Sequence, residues 1–171
     1  MEKEIALTAT SKDLELAARE AKMNAEQIGT FLQGQITLPK QIHDPVFFIA
    51  QLEESFSQPA STIPFSNVIE EAGSAYNNTD GVFNSPSGGL YHFSCTVLKH
   101  RSPLYATINI FHNTKRVCRG HDNSDNGHHN IGCSVPLLLK EGDKVYVKLG
   151  NGAIQASAYS TFSGMRVYQI N

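Results

Sequence analysis

The hydrophobic pattern of this chain changes period once. Small or apolar residues fall at Leu7, Ser11, Leu14, Ala18, Ala21, Ala25, Ile28 and Leu32, a four-three spacing that winds one stripe along a helix. No proline interrupts residues 11–32 and Gly29 comes late, so a continuous helix is allowed, with Ser11 as its expected cap. Four of the eight stripe residues are Ala or Ser and bury little area, so the stripe alone fits self-association no better than a helix that packs on the chain's own domain or frays in solution. Gly34–His43, with Pro39, reads as a linker. From Val46 onward the period becomes two. Tyr91, Phe93, Cys95 and Val97 alternate with His92, Ser94 and Thr96; Leu104, Ala106, Ile108 and Ile110 form one side of a second strand, and Val145, Val147 and Leu149 one side of a third. Further strands are expected at Val46–Leu52, Lys115–Gly120, Cys133–Leu139 and Phe162–Gln169, with turns at Ser85–Gly89, Glu141–Asp143 and Asn151–Gly152. Such alternation predicts antiparallel strands with one buried face.

Composition sets the boundary at Pro45. Residues 1–44 hold 12 of the 30 charged side chains but one of the 15 aromatics, Phe31. We therefore expect two parts: a helical arm with its linker over residues 1–44, and an all-β domain over residues 45–171. Eight to ten short strands suit a jelly roll or an immunoglobulin-like sandwich; the latter lacks its tryptophan, because the chain has none. Net charge is −2, far from the basic footprint of a nucleic-acid binder, so no nucleic-acid partner is expected. No apolar run reaches the roughly 18 residues needed to span a bilayer, so no membrane insertion is expected.

The residues then carry a family resemblance. Phe65-Ser-Asn-Val-Ile-Glu-Glu-Ala-Gly73, Tyr76-Asn77, Gly81-Val-Phe83, Pro86 and Gly89-Leu-Tyr91-His-Phe93 resemble the signature of the globular head domain of complement C1q and its relatives. Glu71 stands where that family usually has Asn or Asp. Val135–Val147 is similar to the family's Leu-x-Lys-Gly-Asp-x-Val strand pair, and Thr161-Phe-Ser-Gly-Met165 to its closing Thr-Phe-Ser-Gly-Phe. The resemblance covers roughly residues 45 to 171. It implies a ten-stranded jelly roll of the tumour-necrosis-factor type that assembles as a homotrimer. With no Gly-x-y repeat in the chain, it also makes the helical arm the natural trimeric coiled-coil stalk.

Little here suits a catalyst. The chain has no HExxH, no Gly-x-Ser-x-Gly and no P-loop, and the adjacent pairs Glu53-Glu54 and Glu70-Glu71 diverge to opposite faces of a strand; an enzyme is not expected. The loop Arg119-Gly-His-Asp-Asn-Ser-Asp-Asn-Gly-His-His-Asn130 is the most polar stretch. Asp122 and Asp125 supply hard oxygen donors, and because relatives of the C1q head often bind calcium with acidic residues of the corresponding loop, they are the expected calcium ligands. His121, His128 and His129 suit zinc instead, and a plain hydrophilic hairpin loop is the third alternative. Arg119, His121, His128, His129 and Asn130 also form a candidate recognition surface for carboxylates or sugar hydroxyls. Tyr105 and Tyr159 can add an aromatic platform only if folding brings them to it.

Cys118 and Cys133 bracket the loop from two strands expected to pair as a hairpin. One disulfide would staple its base; the alternative is two free thiols in a cytosolic protein. Cys95 reads as a buried hydrophobe. Asn77-Asn-Thr79 is a glycosylation sequon. Met1–Thr8 shows no apolar signal core, and the resemblance favours an extracellular, secreted protein over an internal one. The expected function is a trimeric lectin-like recognition module of innate immunity that binds microbial glycans or acidic ligands. Its rival is a structural or signalling trimer with a protein receptor.

Overall fold

The computed structural model describes residues 11–35, 44–101, 105–124 and 127–170. The chain divides into two units, Met1–Ile42 and His43–Asn171. In the first, helix α1 spans Ser11–Gln35. It runs through Gly34 and Gln35, the first two residues of the expected linker, because one glycine near a helix end costs only about 1 kcal/mol. Its stripe residues Leu14 and Ile28 are exposed. The remainder of the expected linker lies outside the described residues.

The second unit is a two-sheet jelly roll with eleven strands among its described residues, two of them only two residues long. The first sheet has the order β10-β5-β11-β1-β2, with β8 on the other edge of β5. Its strands are β1 (Phe47–Leu52), β2 (Asn67–Ala72), β5 (Gly89–Lys99), β8 (Asn130–Leu139), β10 (Ile154–Gln155) and β11 (Ser157–Gln169). The second sheet has the order β3-β4-β9-β6-β7: β3 (Tyr76–Asn77), β4 (Val82–Asn84), β6 (Ala106–His112), β7 (Lys115–Asp122) and β9 (Lys144–Asn151). All pairings are antiparallel. β2 was not among the expected strands, since only two of its six residues are even half-buried and an edge strand of that kind carries no alternating signal.

The core is aromatic. Phe48, Phe83, Phe93 and Phe162 meet between the sheets at ring separations of 5.0–6.2 Å, and Tyr76 stacks on Phe48 at 4.2 Å. Gly164, in the closing Thr-Phe-Ser-Gly motif, explains why that motif needs a glycine. A Cβ there would stand 2.6 Å from Phe93 ring carbons and 2.7 Å from Phe48, so the two rings lie directly across its backbone.

One expectation is corrected by the topology. β7 and β8 do not form a hairpin: β7 pairs only with β6, β8 only with β5, and the two edge strands belong to opposite sheets. Inward-facing Gly120 and Ile131 meet across the sandwich, where a Cβ on Gly120 would fall 2.6 Å from Ile131 Cγ2. The chain between them crosses from sheet to sheet. The Cys118–Cys133 disulfide is therefore a clamp between the sheets, not a staple across a hairpin.

Candidate functional site

The crossing loop is organised by a residue that lies outside it. β5 buries alternate positions Tyr91, Phe93, Cys95, Val97 and then Lys99, which is only 1% exposed. An ammonium at an inward strand position must find acceptors or destabilise the fold. Lys99 Nζ donates to the Ser124 carbonyl at 2.8 Å and lies 3.3 Å from Asp122 Oδ2. Its backbone N–H donates to the His129 carbonyl at 2.8 Å, and His128 Nδ1 stands 3.4 Å from its carbonyl oxygen. Both limbs of the loop thus hang on one side chain and its peptide groups. The alternation in β5 carried the signal: extended by one step past Val97, it points a lysine inward.

This arrangement bears directly on the expected calcium ligands. Asp122 Oδ1 accepts from the Ser124 hydroxyl at 2.5 Å and from the Ser124 amide at 3.4 Å, and Oδ2 faces the Lys99 ammonium. The Ser124 hydroxyl, with the Lys99 ammonium behind it, holds the Asp122 carboxyl below the usual range. A cation bound to Asp122 would have to displace or sit beside a buried ammonium, so Asp122 does not fit a calcium ligand in this setting. Asp125 lies outside the described residues. Among those residues no three His, Cys, Asp or Glu side chains gather as a metal site, and the three histidines expected to hold zinc are divided: His121 pairs with Thr107 on the second sheet, while His128 and His129 flank Lys99.

The candidate ligand residues are divided in the same way. Cross-strand partners share a face, so Arg119, paired with Asn109, projects from the outer face of the second sheet. Asn130, paired with Leu98 and preceding buried Ile131, projects from the outer face of the first. Arg119 and Asn130 therefore do not belong to one surface, because β7 and β8 belong to different sheets. Tyr105 and Tyr159, both exposed, do come to the loop end. Tyr105 precedes Ala106, which pairs with Asp122. Tyr159 precedes Ser160, whose hydroxyl accepts from the Leu98 amide at 2.9 Å, beside Asn130.

Asn77 is exposed on β3, and its Oδ1 accepts from the Thr79 amide at 2.9 Å. Burial pushes the Cys95 thiol well above its ordinary range, which makes it inert while the fold is intact. At the opposite end, Asp143 ties the β6–β7 turn to the β8–β9 turn. It accepts from the Lys140 amide and from Asn113 Nδ2, both at 2.8 Å, and lies 2.9 Å from His112 Nε2. These bonds lower its pKa to about 2.

The family model for the C1q domain matches residues 47–167. This chain belongs to the C1q domain family. Complement C1q tumor necrosis factor-related protein 3 of Mus musculus is 28% identical to it over 127 residues, 72% of this chain and 52% of that protein; the chain thus spans about half the length of this relative. Caprin-2 of Danio rerio is 29% identical over 172 residues, 93% of this chain and 18% of that protein. Among solved structures, the globular domain of zebrafish complement 1qA superposes with a TM-score of 0.64 at 19% identity, over 73% of this chain and 99% of that one. The Eiger TNF of S. frugiperda gives 0.62 at 10% identity, over 75% of this chain and 96% of that one. The head of this C1q-domain protein thus has the jelly roll shared by C1q and TNF. No helix among the described residues is long and apolar enough to cross a membrane.

Proposed function

We propose that this C1q-domain protein is an extracellular homotrimeric recognition module that binds carbohydrate or acidic groups on surfaces through its loop end. The observation that carries the reading is the pair of exposed tyrosines, Tyr105 and Tyr159, at the end of the sandwich where Lys99 gathers His128 and His129. A sugar site combines a few convergent hydrogen-bonding groups with an apolar ring surface, and this end has both. Because the loop is built on an ammonium, binding is independent of calcium at Asp122.

The trimer rests on the outer face of the first sheet. Leu138, Leu90 and Tyr168 form one cross-strand row, and Pro136, His92, Met165 and Phe47 the next. Leu138 is 66% exposed, Tyr168 62% and Met165 52%, and an apolar cleft of about 400 Å³ opens beside Phe47, Ile49 and Met165. A single soluble chain rarely leaves such a contiguous face in water, and two further copies would cover it. The helical arm, with Leu14 and Ile28 exposed, is the natural stalk of that trimer. Secretion is supported by the Cys118–Cys133 bond, which suits an oxidising compartment, and by the exposed sequon at Asn77.

The test is a glycan microarray probed with the purified chain, with and without calcium. The reading expects signal that survives chelation and falls at least tenfold in Tyr105→Ala/Tyr159→Ala, alongside a sedimentation mass of three chains. No glycan signal from a trimer would favour a protein receptor instead, and a monomer at micromolar concentration would overturn the trimer.

A further inference from the structure

The outer face of the second sheet is neither apolar nor mixed in charge. Its five strands contain one acidic residue, Asp122, and that one pairs with buried Ala106 and turns inward to Lys99. Cross-strand register arranges the outward residues in rows. Arg116, Phe111, Tyr146, Val82 and Asn77 make one row, and Arg119, Asn109 and Lys148 the next. Lys144 continues the outward side of β9 beyond Tyr146. Four permanent cations occupy outward strand positions among which there is no carboxylate, and among the described residues none of the four has a carboxylate partner. Isolated like charges on a sheet repel, so their grouping lowers stability unless an anion neutralises them.

The spacing is regular. Arg119 and Lys148 sit two strands apart, about 10 Å, and successive rows along a strand are roughly 7 Å apart. Between the cations lies an aromatic floor: the Phe111 and Tyr146 rings are parallel within 3° at 5.6 Å, and Lys148 Nζ is held over both, 5.5 and 5.7 Å from their centroids. That contact fixes a flexible ammonium in place without neutralising it.

We propose that this face binds a linear anionic polysaccharide, its sulfate or carboxylate groups on Arg116, Arg119, Lys144 and Lys148 and its sugar rings over the Phe111–Tyr146 pair. Repeating anions separated by non-planar rings match cations spaced across a flat sheet. A nucleic acid carries repeating anions too, and it is therefore the competing polymer in the test below. The site is distinct from the loop end: it shares only Arg119 with the residues expected to bind there.

Heparin and alginate are the charged probes, dextran the neutral one, and single-stranded DNA the competing polymer, measured by calorimetry and by salt elution from immobilised heparin. The wild-type chain is expected to bind heparin or alginate with an affinity that falls steeply with salt, and to ignore dextran. Arg116→Glu/Arg119→Glu should weaken binding at least tenfold with an unchanged circular dichroism spectrum. Lys148→Met should weaken it about threefold. Lys12→Glu/Lys22→Glu, which changes net charge equally but on α1, should leave it intact, as should His128→Ala/His129→Ala at the loop end. Equal losses in the helix and sheet variants, tighter binding of DNA than of either polysaccharide, or no binding of either would overturn the proposal; the glycan reading of the loop end would stand in each case.

Discussion

Breaking the disulfide between the sheets should have a large and calculable cost. Cys118 and Cys133 are 15 residues apart, and closing a loop of that length removes unfolded-chain entropy worth about 3 kcal/mol. For the unit His43–Asn171, an unfolding entropy of roughly 2 cal/mol/K per residue converts that into a fall in Tm of about 11 °C. The topology gives a reason for the full value to appear. Among the described residues β7 and β8 share no backbone ladder, so besides the clamp these two edges are joined by side-chain contacts, Gly120 against Ile131 and the ion pair of Asp122 with Lys99 at the loop end. Differential scanning calorimetry of the chain with and without a phosphine reductant, and of Cys118→Ala/Cys133→Ala, measures it. Cys118 is partly exposed, so the bond is open to reductant. Alanine is the right replacement, because a serine at buried Cys133 would add an unsatisfied hydroxyl. Cys95→Ala serves as the control for losing a sulfur from the core without touching the clamp. A shift below about 3 °C in both the reduced protein and the double variant, with the bond verified by intact mass in the oxidised sample, would refute the clamp's role.

Three further outcomes follow from single residues. Lys99→Met should abolish amide-exchange protection at Ser124, whose N–H donates to Asp122, while leaving β5 protected, and millimolar calcium should not change the Tm of the wild-type chain; a calcium-dependent rise would return Asp122 to the metal ligands. Asp143 titrates lower folded than unfolded, so its contribution to stability is fully present above about pH 4 and lost as pH falls towards 2. Urea midpoints should fall over that window in the wild type and less steeply in Asp143→Asn. Gly164→Ala, which forces a methyl against Phe93 and Phe48, should destabilise by about 1–3 kcal/mol; a smaller effect in equilibrium unfolding would mean that the two rings can move aside.

How much of this was legible in the sequence depended on whether a feature is local to one strand. The alternation of β5, β6 and β9 is local, because a strand buried on one face writes its orientation into every second residue, and the family motifs confirm the order of the elements. Pairing is not local. Cys118 and Cys133 look like the two sides of a hairpin when only fifteen residues are in view, and the assignment of β7 and β8 to opposite sheets follows from partners as distant as Asn109 and Thr96. The same blindness made Arg119–Asn130 look like one recognition loop, although its two ends project from opposite faces of the sandwich.

Charge gives the sharpest case. Beyond residue 44 the chain carries nine acidic and nine basic side chains, a balance that argues against any polyanion as a partner if the charges are mixed. Register separates them. The exposed carboxylates Glu70 and Glu71 lie on β2 of the first sheet, whereas the outward positions of the second sheet hold Arg116, Arg119, Lys144 and Lys148 and no acid at all. A polymer that meets one face experiences the charge of that face, because at physiological salt the far side of a two-sheet sandwich, with sheets about 10 Å apart and side chains beyond, lies outside a Debye length of about 8 Å. The neutral sum is therefore compatible with a strongly cationic surface. Substituting two of the four cations tests that surface more directly than any change in the overall charge of the chain.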